Sequence, residues 1–200
     1  MREHLYPLQS NLSQYSEMDI LYIVDWDAFK QQKPKKVGGC CAYPTIPPSL
    51  EDGNAPDSVR VRFSQPIDIT YSGLKTNDWR VPNTGQCDAI LFPSRDTSGD
   101  AILFVELKYG RKENTWLNYK EKACQQLLDT VEQLEKRGAP PKQRKLYGLI
   151  SFPLLRTDAF GASMYSQEEL RTLYIQHQLQ LYASNEVTYV DEQQITADLG

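Results

Sequence analysis

The chain is poor in the residues that build most metal and nucleophile sites: it has 2 histidines and 4 cysteines in 200 residues. Cys40, Cys41, Cys87 and Cys124 show no CxxC spacing and no histidine partners. That argues against structural zinc and against a Cys–His nucleophile, and reduced thiols in a cytoplasmic setting are the expectation. No apolar run approaches the roughly 20 residues that cross a bilayer. The opening Met1-Arg2-Glu3-His4-Leu5 lacks the apolar stretch and small-residue cleavage site of a secretory signal. There is no phosphate-binding loop, because Val37-Gly38-Gly39-Cys40 is not followed by lysine and serine or threonine. No Gly-x-Ser-x-Gly elbow accompanies His4 or His177. Positive charge is short as well: 22 Lys and Arg stand against 26 Asp and Glu, a net charge of −4. This balance weighs against a protein held on nucleic acid by general electrostatics, though it leaves room for a local basic groove.

What remains is an ordinary core-forming chain, 40% hydrophobic and 24% charged, of a length for one domain. Residues 16–32 carry mixed signals. Ser16, Glu17 and Asp19 suit a helix start, Ile20-Leu21-Tyr22-Ile23-Val24 also suits a strand, and the reading leans to helix. Residues 34–57 hold five prolines and three glycines and read as an irregular arm. Val59-Arg60-Val61-Arg62-Phe63 alternates as a strand, with Ile67–Tyr71 extending or repeating it. Residues 75–85 read as loop. Cys87–Phe92 and Ala101–Tyr109 are two apolar runs around the turn-forming Ser94–Asp100, which makes a hairpin. Residues 114–137 form the strongest helix, with Trp116, Ala123, Leu127, Val131 and Leu134 on one face. Lys145–Phe152 reads as a buried strand, so strand, helix and strand predict a parallel crossover. Ser166-Gln167-Glu168-Glu169 opens a second helix running to about Tyr182, and residues 186–191 suit a last short strand. The fold class is α/β with a mixed sheet.

The hairpin carries an anomaly. Both strands are apolar on both faces, as central strands are, yet they contain Asp88, Glu106 and Lys108. Buried charges are costly unless paired or bound to metal. Pairing Ser94 with Asp100 puts Asp88 directly across from Glu106, with Cβ atoms about 5 Å apart. Two carboxylates at that separation repel unless a cation lies between them, and oxygen ligands suit Mg²⁺ or Mn²⁺. Lys108 leaves the strand on the same side as Glu106. Two carboxylates holding a metal, with a lysine beside them to orient water and offset developing charge, form a site for phosphodiester hydrolysis. A slip of one residue would break the set.

Asp88 followed after seventeen residues by Glu106-Leu107-Lys108, on consecutive strands with a helix and strand behind, resembles the PD-(D/E)XK nuclease superfamily. The resemblance covers about residues 59–153. It implies a restriction-endonuclease-like αβββαβ core, a mixed central sheet flanked by helices, with an N-terminal helix and arm over 1–58 and a C-terminal helix and short strand over 154–200. It implies Asp88 and Glu106 as ligands of Mg²⁺ or Mn²⁺ and Lys108 as the catalytic lysine. Cys87 stands where many members have proline. Lys120, Gln125 and Gln126 are candidates for the auxiliary residue some members take from the following helix, and Glu17 for an acid from a preceding one. Trp79 and Tyr109 are the candidate nucleic-acid contacts. The expected activity is a Mg²⁺-dependent nuclease acting on DNA, with RNA as the other substrate, and with a homodimer or larger complex supplying the basic grip.

A different reading keeps the fold without the reaction, as a nuclease-like scaffold that binds protein or nucleic acid. The plainest has Asp88 and Lys108 exposed at strand ends and Glu106 in an ordinary ion pair, within an unrelated α/β interaction protein.

Overall fold

The computed structural model describes residues 1, 11–29, 38–74, 84–110, 115–139, 141–157 and 160–197. They fold as a mixed α/β protein with two sheets. One is six-stranded, built from β1 (Asn11–Tyr15), β5 (Ile69–Gly73), β6 (Ala89–Pro93), β7 (Ala101–Leu107), β8 (Lys145–Ser151) and β9 (Leu179–Ala183), in that spatial order. The other is five-stranded, ordered β11 (Gln194–Ala197), β10 (Glu186–Asp191), β4 (Val59–Phe63), β2 (Ile20–Asp25) and β3 (Cys40–Tyr43).

The hairpin β6–β7 lies in the middle of the larger sheet, and every residue of both strands is buried. Its two faces meet different layers. Ile90, Phe92, Ile102 and Phe104 pack against Trp116, Ala123, Leu127 and Leu134 of helix α1 (Thr115–Lys136). Ala89, Leu91, Leu103 and Val105 pack against Leu21, Ile23, Val61, Val187 and Tyr189 of the smaller sheet. A strand covered on both sides has no polar face, which explains the unbroken apolar runs. β7 and β8 run parallel, with α1 as the crossover between them, as the strand–helix–strand pattern predicts. No described helix is long and apolar enough to cross a membrane.

Four expectations need correction. The helix over 16–32 is instead the strand β2 followed by a short 3-10 turn, Trp26–Phe29. Leu21, Ile23 and Val24 are fully buried there, and β2 takes its hydrogen-bonding partner β4 from nearly forty residues away. Such distant pairing overrides a weak local preference. The irregular arm contains β3, paired with β2. The second long helix, α3 (Gln167–His177), stops where Gln178 turns left-handed at φ 55°. Residues 179–183 then form β9, with Leu179, Leu181 and Ala183 buried in alternation. Finally, the helices α1, α2 (Gly161–Met164) and α3 belong to one face only, and a sheet rather than helices covers the other. Ile69–Gly73 repeats β4 rather than extending it, because the intervening turn carries the chain from the smaller sheet to the larger.

Candidate active site

The register of the central hairpin is Ala89 opposite Val105, Ile90 opposite Phe104 and Leu91 opposite Leu103. The regular ladder ends there: Asp88 N donates to Val105 O at 2.9 Å, so Asp88 and Ala89 both face Val105, and the Asp88 side chain crosses to the β7 strand, where its Oδ2 accepts from Leu107 N at 2.7 Å. The start of β6 is held in place by α1. Gly85 N donates to Asp129 Oδ2 at 2.6 Å, Gln126 Nε2 donates to Gln86 O at 2.9 Å, and Cys87 N donates to Thr130 Oγ1 at 2.8 Å. This close approach requires glycine at 85, where a Cβ would lie 2.9 Å from Gln126 Cγ and 3.0 Å from Asp129 Oδ2. Three successive residues are thus fixed by one helix before Asp88 is reached.

Glu106 is wholly buried. Its Oε1 accepts from Lys108 Nζ, and its Oε2 has no hydrogen-bond partner. Lys108 also donates to Gln126 Oε1 at 2.9 Å. Asp88 is half-buried and accepts at Oδ2 from Leu107 N at 2.7 Å. Burial pushes the Asp88 carboxyl up to about 7, against the hydrogen bond from Leu107, with Asp25 adding to the rise. Burial pushes Glu106 up well above the carboxylate range, Asp88 adds to it, and Lys108 opposes it. The physical situation is plain: two carboxylates face one ammonium in a place poorly reached by water.

Gln126 therefore reaches the site, and the other helix candidates do not. Gln125 is exposed and donates to Asp129 Oδ1 at 2.7 Å. Lys120 points toward α3, where Nζ lies 2.6 Å from Glu169 Oε1 and 4.7 Å from the centre of the Tyr165 ring. On a helix, residues 120 and 126 project to different faces, and only the face of Gln126 and Thr130 meets the start of β6. Glu17 lies in the exposed turn between β1 and β2, at the end of β2 opposite Asp25, and is not part of the site. Trp79 lies outside the described residues. Tyr109 is half-buried and held by its own contacts. Its hydroxyl accepts from Asp25 N at 3.2 Å and donates to Asp57 O at 3.3 Å, and its ring packs edge-on against Phe29 at 5.1 Å.

Sequence reasoning missed Asp25, the last residue of β2, whose charge raises both Asp88 and Glu106. With residues 16–32 read as helix, nothing brought Asp25 to this end of the sheet. Its one signal in the sequence is its place directly after an apolar run, as Asp88 directly precedes one. Among the described residues, no three His, Cys, Asp or Glu side chains are close enough together to hold a metal ion by themselves. Comparison with protein-family models, with curated proteins and with solved structures finds no match to this chain.

Proposed function

We propose that this chain is a metal-dependent nuclease with a restriction-endonuclease-like core, hydrolysing phosphodiester bonds in DNA. The observation that carries the reading is Glu106: a wholly buried carboxylate, beside Lys108 and next to Leu107 whose N–H the Asp88 carboxylate accepts, with Oε2 left without a partner. An isolated buried acceptor of this kind costs stability, and a bound cation offsets that cost. The order of β5, β6, β7, α1 and β8, three antiparallel strands followed by a helix and a parallel strand, supports the same core. Where that core would open with a helix, the described part of this chain has strands.

The donor set fits a hard divalent cation, since carboxylate oxygens of Asp88 and Glu106 would hold Mg²⁺ or Mn²⁺. Bound there, the ion would supply Lewis-acid polarisation of a phosphodiester and a water of lowered pKa. Lys108 is held from two sides, by Glu106 and by Gln126, so its ammonium has a set position beside the carboxylates. From there it can orient a water and offset charge that develops on phosphate oxygens. Gln126 is a positioning residue, tied in turn to the backbone of Gln86. The acidic balance of the chain assigns the grip on nucleic acid to a homodimer, a larger complex or a narrow basic rim.

The test is a thermal melt of wild type and Glu106→Gln, each in EDTA and in millimolar Mn²⁺, followed by cleavage assays on single- and double-stranded DNA and RNA. A cation that binds only the folded state raises the melting temperature by mass action. A rise in wild type that disappears in Glu106→Gln, with Mn²⁺-dependent cleavage of DNA, is the expected result. A flat response in both would select the scaffold reading instead.

A further inference from the structure

We propose that Tyr119 is a nucleobase contact of this site: its exposed ring stacks on an unpaired base next to the scissile phosphate, so the substrate is a single strand of DNA rather than a blunt duplex. The inference rests on the nuclease reading above.

Among the described residues only two aromatic side chains are exposed, Tyr119 on α1 and Tyr174 on α3. They stand at opposite ends of the larger sheet. Tyr174 lines a cavity with Lys145 and Leu146, at the start of β8. Ala101 pairs with Lys145 and Glu106 with Ile150, so that end is the one away from Glu106. Tyr119 is at the near end, and two connections place it there. Along α1 it comes seven residues before Gln126, two turns of helix, so both project to one side about 10 Å apart. Gln126 Oε1 in turn accepts from Lys108 Nζ at 2.9 Å. Across the end of the sheet, the Tyr119 ring lies 6.5 Å from that of Phe152. The residue before Phe152, Ser151, accepts at its carbonyl oxygen from Lys108 N at 2.8 Å.

The site opens at this end, where Lys108 and Asp88 both keep part of their side chains in solvent. Phe152 is wholly buried and steadies one side of the Tyr119 ring, which leaves the rest of the ring as a fixed platform. Exposed Lys122 lies between Tyr119 and Gln126 on the same side of α1, in position for a phosphate. Lys120, on the opposite flank, is already engaged by Glu169 and Tyr165. An aromatic ring stacks on a base only where the face of that base is free, as in a single strand. The charge balance agrees. A single strand is less densely charged than a duplex, so a chain of net charge −4 with a narrow cationic rim is better matched to it.

The competing role for Tyr119 is packing against Phe152. Tyr119→Leu keeps an apolar contact there and removes the stacking face, while Tyr119→Phe and Tyr119→Trp keep a ring. Binding of a labelled oligodeoxythymidine strand and of a blunt duplex would be measured for the full chain by anisotropy, in EDTA and in Mn²⁺, with melts alongside. The expected result is a wild type that prefers the single strand, a loss of about tenfold in Tyr119→Leu, and binding within about twofold of wild type in Tyr119→Phe, Tyr119→Trp and the far-end control Tyr174→Leu. Should Tyr119→Leu melt early, a strand carrying 5-iododeoxyuridine, irradiated with wild type, gives a second readout. Its adduct should map to Tyr119, a result that a packing role would not produce. Wild-type binding by Tyr119→Leu, or an adduct confined to other residues, would overturn the contact and leave the nuclease reading to its own metal and cleavage tests. No binding of either DNA by wild type in EDTA or in Mn²⁺ would overturn both.

Discussion

Two of the lysine–glutamate pairs among the described residues resemble each other on paper and behave oppositely. Lys120 and Glu169 join α1 to α3 at 2.6 Å, with the glutamate side chain 46% exposed. Lys108 and Glu106 sit two residues apart at the end of β7, with the glutamate wholly buried. Glu169 is drawn down to about 2, first by the hydrogen bond from Lys120 and then by the backbone and hydroxyl of Ser166, which it also serves as a capping box. Glu106 is pushed up, because burial and the neighbouring Asp88 outweigh its own lysine. The pair in water is complete. The pair between the layers still leaves one oxygen without a partner, and that residual demand is what distinguishes a site from a surface contact.

The comparison can be broken or sharpened by experiment. The largest expected effect is on hydrolysis. Glu106→Gln should lower the rate by about a thousandfold or more, while Glu169→Gln leaves it unchanged; equal losses would erase the distinction. Lys108→Met should cost about a hundredfold in rate while Mn²⁺ still raises the melting temperature, which separates the role of the lysine from that of the carboxylates. Gln126→Ala, which frees Lys108 on one side, should cost about tenfold, and Gln125→Ala nothing measurable.

Stability effects are smaller and carry opposite signs in the two regions. Folded Asp88 keeps its proton up to about pH 7, while the same group in the unfolded chain loses it near the ordinary aspartate value. Between those two points the folded protein holds the extra proton, so in EDTA its stability should fall as pH rises through that window. Asp88→Asn should flatten the slope, and melting temperatures from pH 5 to pH 8 would show it. Glu169 works the other way: its folded value is depressed, so its contribution is present above the ordinary glutamate range and is lost as pH falls toward 2. In EDTA at neutral pH, Glu106→Gln should melt about 2–4 °C higher than wild type, since burial makes ionised Glu106 costly in the folded state and glutamine has no proton to hold. Glu169→Gln should shift the melt by no more than about 2 °C, downward.

The part of the site that was legible from residues alone lies on contiguous chain. A turn-rich loop between two apolar runs sets a hairpin register, so Ala89, Ile90 and Leu91 could be placed across from Val105, Phe104 and Leu103 before any fold was known. The α1 stripe of Trp116, Ala123, Leu127, Val131 and Leu134 is buried as its spacing requires. What was not legible depends on elements far apart in the chain. The choice of Gln126 over Gln125 and Lys120 follows from how α1 is rotated against Gly85–Cys87, and periodicity identifies the apolar face but not the neighbour of each polar residue. The strand β9 reads locally as the tail of α3, and only pairing with β8 makes it a strand. β2 and its Asp25 were hidden for the same reason.

By itself the sequence determined the local order of this protein: the hairpin and its register, the crossover helix, the following strand, and the conflict of charge set among apolar residues. These follow from alternation, helical spacing and turn chemistry, which act over a few residues. Tertiary structure decided what covers the second face of the hairpin and which helix side chain holds Lys108. Those outcomes depend on pairings such as β4 with β10, more than a hundred residues apart, whose free energy comes from burying one sheet on another. No local pattern encodes that partner.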